Sequence, residues 1–181
     1  MKKRRIPTPI IRWVQSFLAD RQTQLSFEGN ISAPIPTPAG VPQGSPLSPL
    51  LYMYYNADLL DVPEKCGMEN AQILQFIDDI AYGVEGLTDE GNTERLGKLL
   101  DETEVWRRKH RARFEPSKYT LIHFNRNPRR STAAPLNLQE ITIQPSDEGK
   151  YLGVVLDKGL RFKQQRQQAA KKGTKFAMAI S

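Results

Sequence analysis

Two adjacent aspartates, Asp78 and Asp79, stand between the short apolar runs of the stretch Ile73 to Val84. Runs of this length predict two strands, which places the acidic pair at the tip of a β-hairpin. Adjacent carboxylates are costly to bury unless a cation compensates them, and Mg²⁺ prefers oxygen ligands together with substrate phosphates. The hairpin is therefore a candidate metal site for phosphoryl or nucleotidyl transfer, in which carboxylates hold two ions. For an Asp-Asp pair taken alone, an ordinary solvated turn is the alternative.

A second motif lies upstream, in the run Gly-Val-Pro-Gln-Gly-Ser-Pro that begins at Gly40. Gly40 and Gly44 allow the backbone to approach a flat or charged ligand closely. Gln43 carries an amide that both donates and accepts hydrogen bonds. Ser45 and the first amides of the helix that follows would face an anion bound at this loop. The alternative is a rigid, proline-rich entry to a helix without a ligand.

The distribution of charge favours a polyanionic partner. The formal net charge is +6, with 13 acidic and 3 basic residues between Asn56 and Glu104 against 7 acidic and 23 basic residues elsewhere. The basic clusters are Lys2–Arg5, Arg107–Arg113, Arg126–Arg130 and Lys158–Lys175. Nucleic acid is the commonest polyanion that such a surface binds. A solvated surface that only keeps the protein soluble is the alternative.

Several classes of protein are not expected from this composition. No apolar run approaches the roughly 20 residues that span a bilayer, so we expect no membrane segment. The basic start Lys2–Arg5 is followed by Ile6–Pro9 instead of the apolar run of a secretory signal. The single Cys66 suits a reducing interior, so we expect an intracellular protein that is not secreted. Lys2–Arg5 is then either a nuclear signal or an exposed tail. His110 and His123 stand apart from other ligand types, and we expect no zinc site.

The elements around the motifs follow from periodicity and from proline. Helical spacing predicts helices over residues 10–18, 46–60, 89–110 and 161–181. Besides the aspartate hairpin, alternating runs predict strands over residues 23–27, 119–124, 139–143 and 151–156. Six of the 13 prolines lie between Pro34 and Pro49, which predicts a stiff, extended loop. This order predicts an α+β fold in which helices cover one face of an antiparallel sheet.

Two helices are expected to pack through particular side chains. The apolar face of the helix over 89–110 consists of Leu96, Leu99, Leu100, Thr103 and Trp106. Its surface pairs at a spacing of four residues are Glu94 with Lys98 and Glu104 with Arg108. Phe162 and Phe176 are expected to be the apolar anchors of the last helix.

Taken in order, these motifs resemble the reverse transcriptases of non-LTR (LINE-type) retrotransposons, particularly the kind common in fungal genomes. The resemblance covers about residues 6–165 and rests on Ile6–Pro7 with Ile11–Arg21, Gly40–Leu51, Asn56–Leu60, Phe76–Asp79, Phe114–Lys118 with Ile122–Phe124, and Lys150–Asp157. It implies a partial polymerase palm over residues 1–157 and the start of a helical thumb over residues 158–181. The implied activity is DNA synthesis on an RNA template with a DNA primer, dNTP and Mg²⁺ or Mn²⁺.

The resemblance also implies a role for individual residues. Asp78 would be the principal metal-binding catalytic carboxylate and Asp79 its weaker partner. Lys118 would approach the leaving pyrophosphate as a proton donor. The implied substrate-binding residues are Gln43 and Gly44 at the template or nucleotide, Phe76 near the incoming nucleotide, and Tyr151, Leu152 and Gly153 where the primer is gripped. The basic helix after Lys158 would track phosphates, a contact that depends on salt and not on sequence.

One part of the family pattern is absent from the sequence. The third metal-binding carboxylate of the family lies in a motif like Phe-x-x-Asp-x-x-x-Ala-Phe-Asp upstream of the Ile6-Pro7 helix, and no such motif precedes Ile6 here. We therefore expect the C-terminal part of a palm, a sheet without its central strand, and no polymerisation by this chain alone. Ile77 replaces the usual Ala of the family, a mild departure. The alternatives are a nucleic-acid-binding remnant without catalysis and a chain that does not fold stably.

Overall fold

The computed structural model describes residues 1–125, 127, 133–138 and 141–180, and its chain contacts divide into two compact units, Met1–Ala57 and Asp58–Ser181. The described α-helices are α1 (Thr8–Leu18), α2 (Leu47–Asn56), α3 (Val62–Lys65), α4 (Asp89–His110) and α5 (Lys163–Ile180). Three short 3-10 helices span Lys2–Arg4, Ala57–Asp61 and Pro116–Lys118. The described strands are β1 (Gln22–Thr23), β2 (Ser26–Phe27), β3 (Asn30–Ile31), β4 (Ile35–Pro36), β5 (Ala71–Phe76), β6 (Asp79–Val84), β7 (Leu136–Asn137), β8 (Thr142–Ile143), β9 (Glu148–Tyr151) and β10 (Val154–Asp157).

The strands pair as local antiparallel ladders. The pairs are β1 with β4, β2 with β3, β5 with β6, β7 with β8, and β9 with β10. Helices mixed with small antiparallel sheets make an α+β protein, as predicted. The prediction of one antiparallel sheet is wrong for the described residues, because each described ladder consists of two strands and none is joined to a second ladder.

The first unit combines α1 and α2 with a nested hairpin. Pro9 lies in the first turn of α1, where its missing N–H is not needed, and the helix buries Ile11 and Val14. The strand predicted over residues 23–27 is interrupted, because the N–H of Leu25 donates to Oγ of Ser32 (3.0 Å) and not to a ladder carbonyl. β4 lies within the predicted proline-rich loop, where it pairs with β1.

The helix predicted to run through Leu60 ends earlier. α2 stops at Asn56, a 3-10 helix continues to Asp61, and α3 follows. Pro63 has no N–H to donate to the carbonyl of Leu59, so a continuous α-helix is disfavoured at this point.

The core of the second unit forms where α4 packs against β6. Leu59, Val62 and Leu99 have no exposed surface, and Trp106 completes the cluster. The predicted bounds of α4 are confirmed, and Oγ1 of Thr88 caps its start by accepting the N–H of Gly91 (3.1 Å).

The predicted apolar face of α4 is confirmed in the same way. Leu99, Thr103 and Trp106 are buried, and Leu96 and Leu100 are half-buried. The two predicted surface pairs are also present, with 2.8 Å between Lys98 Nζ and Glu94 Oε1 and 3.0 Å between Arg108 Nε and Glu104 Oε1.

Two strand predictions in the second unit are wrong. Residues 119–124 alternate between more and less buried positions, but only Leu121 forms a bridge, with Pro145. Alternating burial reports one covered face, and it does not require a neighbouring strand. Residues 151–156 are not one strand, because the chain reverses at Leu152 and Gly153 between β9 and β10.

The remaining expectations fall partly beyond the described residues. The strand predicted over residues 139–143 is seen as β8, while residues 139 and 140 lie outside the described part of the chain. The three arginines of the cluster at residues 126–130 also lie outside it. Phe176 is 74% exposed and Phe162 is 38% exposed, so the prediction that they anchor the last helix is wrong. Among the helices that the structure describes, none is long and apolar enough to cross a membrane.

Candidate functional site

The aspartate pair lies at the turn of the β5–β6 hairpin, as predicted. Phe76 and Asp79 are the last residues that pair across the two strands, so Ile77 and Asp78 form a two-residue turn. Ile77 has φ of +52°, whereas φ of Asp78 is not positive. A positive φ at the first turn position alone is the pattern of a type II′ turn. The strained conformation therefore falls on the β-branched Ile77 and not on an aspartate, which the sequence did not indicate.

The donor set at this turn fits a weakly held divalent cation but not a closed metal cage. The carboxylates of Asp78 and Asp79 are exposed and form no ion pair with any described residue. Mg²⁺ is often bound by one or two carboxylates while it keeps several waters and contacts substrate phosphates. In the described part of the chain, no group of three His, Cys, Asp or Glu side chains is placed to hold a metal ion.

The face of the hairpin that carries Asp79 also carries two apolar side chains. Residues directly opposite in an antiparallel pair lie on the same face, which places Phe76 beside Asp79 and Leu74 one pair further along. Phe76 is 56% exposed and Leu74 is 59% exposed. The opposite face, with Ile73, packs on the core. We call the three residues Leu74, Phe76 and Asp79 the open face of the hairpin.

Tyr151 connects the β9–β10 hairpin to this open face. Its hydroxyl donates a hydrogen bond to the carbonyl oxygen of Leu74 at 3.3 Å. Burial raises the pKa of Tyr151, and the nearby carboxylate of Asp79 adds to the rise. Tyr151 therefore lies beside the aspartate hairpin, which brings together two segments 77 residues apart in sequence.

Leu152 and Gly153 form the turn that follows Tyr151. Both have positive φ, +47° and +83°, the pattern of a type I′ turn. Leu152 is 47% exposed, and a Cβ built on Gly153 meets open space. The three predicted primer-contacting residues thus occupy one hairpin end, where Leu152 and Gly153 are exposed and Tyr151 is half-buried.

Gln43 and Gly44 belong to the first unit, in the loop before α2. Gln43 is exposed, and Gly44 has φ of +89°. The guanidinium of Arg21 donates to the carbonyl oxygens of Ala39 (3.2 Å) and Gly40 (2.7 Å) and so fixes the start of this loop. Arg21 was not predicted as a loop contact, because no local sequence pattern connects it to carbonyls that lie 18 and 19 residues further along the chain.

Lys118 ends the 3-10 helix Pro116–Lys118 in the second unit. Its side chain is exposed, and its ammonium forms no hydrogen bond or ion pair within the described residues. The two histidines have structural contacts. His123 is buried with Nε2 2.8 Å from the carbonyl of Ala134, and His110 stacks on Trp106.

Comparison with known proteins places these features in a family. The family model for "Reverse transcriptase (RNA-dependent DNA polymerase)" matches residues 1–156. The "Probable RNA-directed DNA polymerase from transposon X-element" of Drosophila melanogaster is 28% identical over 160 residues, which is 88% of this chain and 17% of that protein. Two further Drosophila melanogaster relatives, from transposon BS and from mobile element jockey, are each 30% identical over 88% of this chain and 18% of their own length.

The chain spans less than a fifth of the length of these relatives. No solved structure matches it. The family match includes the loop of Gln43, the hairpin of Asp78 and the turn after Tyr151, which are the segments that the sequence motifs single out. The chain therefore belongs to the reverse transcriptase (RNA-dependent DNA polymerase) family.

Proposed function

We propose that this chain is the part of a non-LTR reverse transcriptase palm that carries the aspartate hairpin, together with the first helix of the thumb. The observation that supports the proposal best is the bond from Tyr151 to Leu74. It supports the proposal because Tyr151, which the resemblance implies to contact the primer, lies beside the open face with Phe76 and Asp79. The palm over residues 1–157, the thumb from residue 158 and the fungal affinity remain predictions.

The proposed ligands follow from the chemistry of the exposed groups. Asp78 and Asp79 would hold Mg²⁺ or Mn²⁺, which when bound would lower the barrier to nucleotidyl transfer by neutralising phosphate charge. Phe76 offers an exposed ring beside Asp79, which suits the base or sugar of a dNTP. Gln43 and Gly44 would contact the RNA template or the nucleotide, and Lys118 would donate a proton to the leaving pyrophosphate. Tyr151, Leu152 and Gly153 would contact the DNA primer.

We further propose that the 181-residue chain does not polymerise by itself, because its described residues supply two carboxylates at the turn and no third. Primer extension on an RNA template with Mg²⁺ and with Mn²⁺ tests this proposal. We expect no incorporation by the purified chain. Incorporation that is lost in Asp78→Asn and retained in Asp101→Asn, an exposed acid on α4, would contradict the proposal of inactivity.

A second candidate function is nucleic-acid binding without catalysis. It is favoured by α5, whose basic side chains Lys163, Arg166, Lys171, Lys172 and Lys175 are all exposed. Binding of a primer–template duplex that weakens steeply with salt but is unchanged by Asp78→Asn supports this function. Binding that is strengthened by Mg²⁺ and loses this effect in Asp78→Asn supports the palm proposal instead.

An intracellular, nuclear location is proposed on the basis of Lys2–Arg5. A fluorescent fusion of the chain and its variant with all four residues changed to Gln would show whether this cluster directs nuclear import.

A further inference from the structure

The connection between β10 and α5 is organised around one carboxylate. Oδ1 of Asp157 accepts the backbone N–H groups of Gly159 (3.1 Å) and Arg161 (3.0 Å). Oδ2 accepts the N–H of Phe162 at 2.5 Å. Hydrogen bonds from these amides hold the pKa of Asp157 below its usual range. A carboxylate with several amide donors is among the stronger polar arrangements in proteins.

The same connection contains two residues in an unfavourable backbone conformation. Leu160 has φ of +51° and Phe162 has φ of +53°, although neither is glycine. Side chains other than Gly, Asn and Asp avoid this region because Cβ crowds the backbone. Such conformations persist where surrounding contacts fix them. Here the contacts are hydrogen bonds from the backbone N–H groups of Leu160 and Phe162 to Asp157.

A second bond fixes α5 on the strand itself. Oε1 of Gln165 accepts the N–H of Val155 at 2.9 Å, so a side chain of the helix reaches the backbone of β10. Val155 is buried and pairs with Lys150 of β9. Gln165 is half-buried, whereas its neighbours Gln164 and Gln167 are exposed.

These contacts determine what the basic helix is able to bind. The N–H groups of Arg161 and Phe162, just before α5, donate to Asp157 and are not available to a phosphate. The phosphate contacts proposed for α5 come from its exposed basic side chains, and the positions of these side chains depend on the direction in which the helix leaves β10. β10 pairs directly with β9, which ends at Tyr151 beside the aspartate hairpin.

We infer that Asp157 and Gln165 are positioning residues that hold α5 in one orientation on the β9–β10 hairpin. The basic side chains of α5 and Tyr151, whose hydroxyl is bonded to Leu74, then contact a bound duplex at fixed positions relative to Asp78 and Asp79. This inference rests on the proposed function, since it requires that α5 binds the primer–template duplex.

The main test compares Gln165→Ala with Gln164→Ala, which removes the same side chain from an exposed position of the same helix. Binding of a fluorescently labelled DNA primer annealed to an RNA template is measured by anisotropy over a range of salt concentrations. We expect Gln165→Ala to weaken binding roughly fivefold and to reduce the slope of log affinity against log salt by about 1, equivalent to one lost phosphate contact. Gln164→Ala should bind as the unchanged chain does.

A variant that lacks three of the five basic side chains of α5 shows whether Gln165 acts through them. In the background Arg166→Gln, Lys171→Gln, Lys172→Gln, adding Gln165→Ala should cause a smaller loss of affinity than the same substitution causes in the unchanged chain. Equal affinity and slope for Gln165→Ala and Gln164→Ala, while the triple variant binds weakly, would overturn the positioning inference alone. Unchanged binding by the triple variant would overturn the proposed role of α5 and the inference with it.

Hydrogen exchange tests the same bond without nucleic acid. The amide of Val155 should exchange faster in Gln165→Ala and at the unchanged rate in Gln164→Ala. Gln165→Glu should restore slow exchange, because its carboxylate oxygen accepts the same N–H. Asp157→Asn keeps one acceptor oxygen and should accelerate exchange at Arg161 and Phe162 without unfolding the hairpin. Slow exchange at Val155 in Gln165→Ala would contradict the inference.

Discussion

The hydroxyl of Tyr151 reaches the carbonyl oxygen of Leu74, 3.3 Å away and two residues before Phe76. The bond joins two hairpins that do not share a ladder, so it is a specific link between the β9–β10 hairpin and the open face of the aspartate hairpin. The bond thus links the predicted primer-contacting turn to the open face of the aspartate hairpin.

We expect Tyr151→Phe to lower the free energy of unfolding by about 0.5–1.5 kcal/mol, the usual worth of one hydrogen bond. Urea denaturation followed by circular dichroism measures this loss. The matched control is Tyr54→Phe, since Tyr54 is an exposed residue of α2. An equal effect of the two substitutions would mean that the hydroxyl of Tyr151 contributes no stability.

The turn at Leu152 and Gly153 leads to a prediction of increased stability. Leu152 has φ of +47°, which costs a leucine roughly 1–2 kcal/mol, while Asn tolerates this conformation. Asn-Gly is also the preferred pair of a type I′ turn. We expect Leu152→Asn to raise the free energy of unfolding by about 1 kcal/mol.

The control for this turn is Leu87→Asn, at a leucine that is 90% exposed and does not have positive φ. It should not increase stability. The denaturation midpoints of the two variants, compared with that of the unchanged chain, test whether Leu152 is strained in this turn. A lower midpoint for Leu152→Asn would exclude a strained turn.

The same turn shows why the β9–β10 hairpin was not predicted from the sequence. A hairpin turn of type I′ usually contains Asn-Gly or Asp-Gly, which makes it recognisable in a sequence. Leu152 at that position extends the apolar run, so residues 151–156 resemble one strand. The aspartate hairpin was predictable because two polar residues interrupt its apolar runs, whereas the location of positive φ at Ile77 depends on the folded turn.

Local sequence signals predicted the bounds of helices more accurately than they predicted which strands pair. Thr88 and the charges of α4 mark both ends of that helix in the sequence, and its bounds were confirmed. Residues 119–124 alternate as a strand does, but the partner that would complete a ladder is a property of distant chain segments. The contact from Tyr151 to Leu74 joins residues far apart in sequence, and no local pattern reports it.

Glu104 on α4 should make stability depend on pH in acid. Hydrogen bonds from Arg107 and then Arg108 lower the pKa of this carboxyl to about 2. A lowered pKa gives stability that is present above the ordinary pKa of 4.5 and is lost as pH falls from about 5 towards 2. We expect Glu104→Gln to remove about 0.5–1 kcal/mol at neutral pH, since the pairs are partly exposed, and to flatten the acid limb.

Thermal unfolding between neutral pH and pH 2 measures the effect of Glu104. High salt provides the control, because it screens exposed ion pairs and should reduce the difference between the variant and the unchanged chain. An acid limb of unchanged steepness in Glu104→Gln would assign the pH dependence to other carboxyls.

Tyr82 should make stability depend on pH in alkali. Its hydroxyl lies 2.6 Å from Oγ1 of Thr103, whose own hydroxyl donates to the carbonyl of Leu99, so Tyr82 is the donor. Burial raises the pKa of Tyr82 to about 12 from its ordinary value of 10. A raised pKa gives stability that is complete below pH 10 and is lost as pH rises from 10 to 12. The loss should be on the order of 2–3 kcal/mol, because each pKa unit corresponds to about 1.4 kcal/mol.

Tyr82→Phe should be less stable at neutral pH, since it lacks the bond to Thr103, but it should lose less stability than the unchanged chain between pH 10 and 12. Urea denaturation at several pH values measures this difference, with Tyr54→Phe as the control, and parallel alkaline losses in all three proteins would exclude Tyr82 as the responsible group.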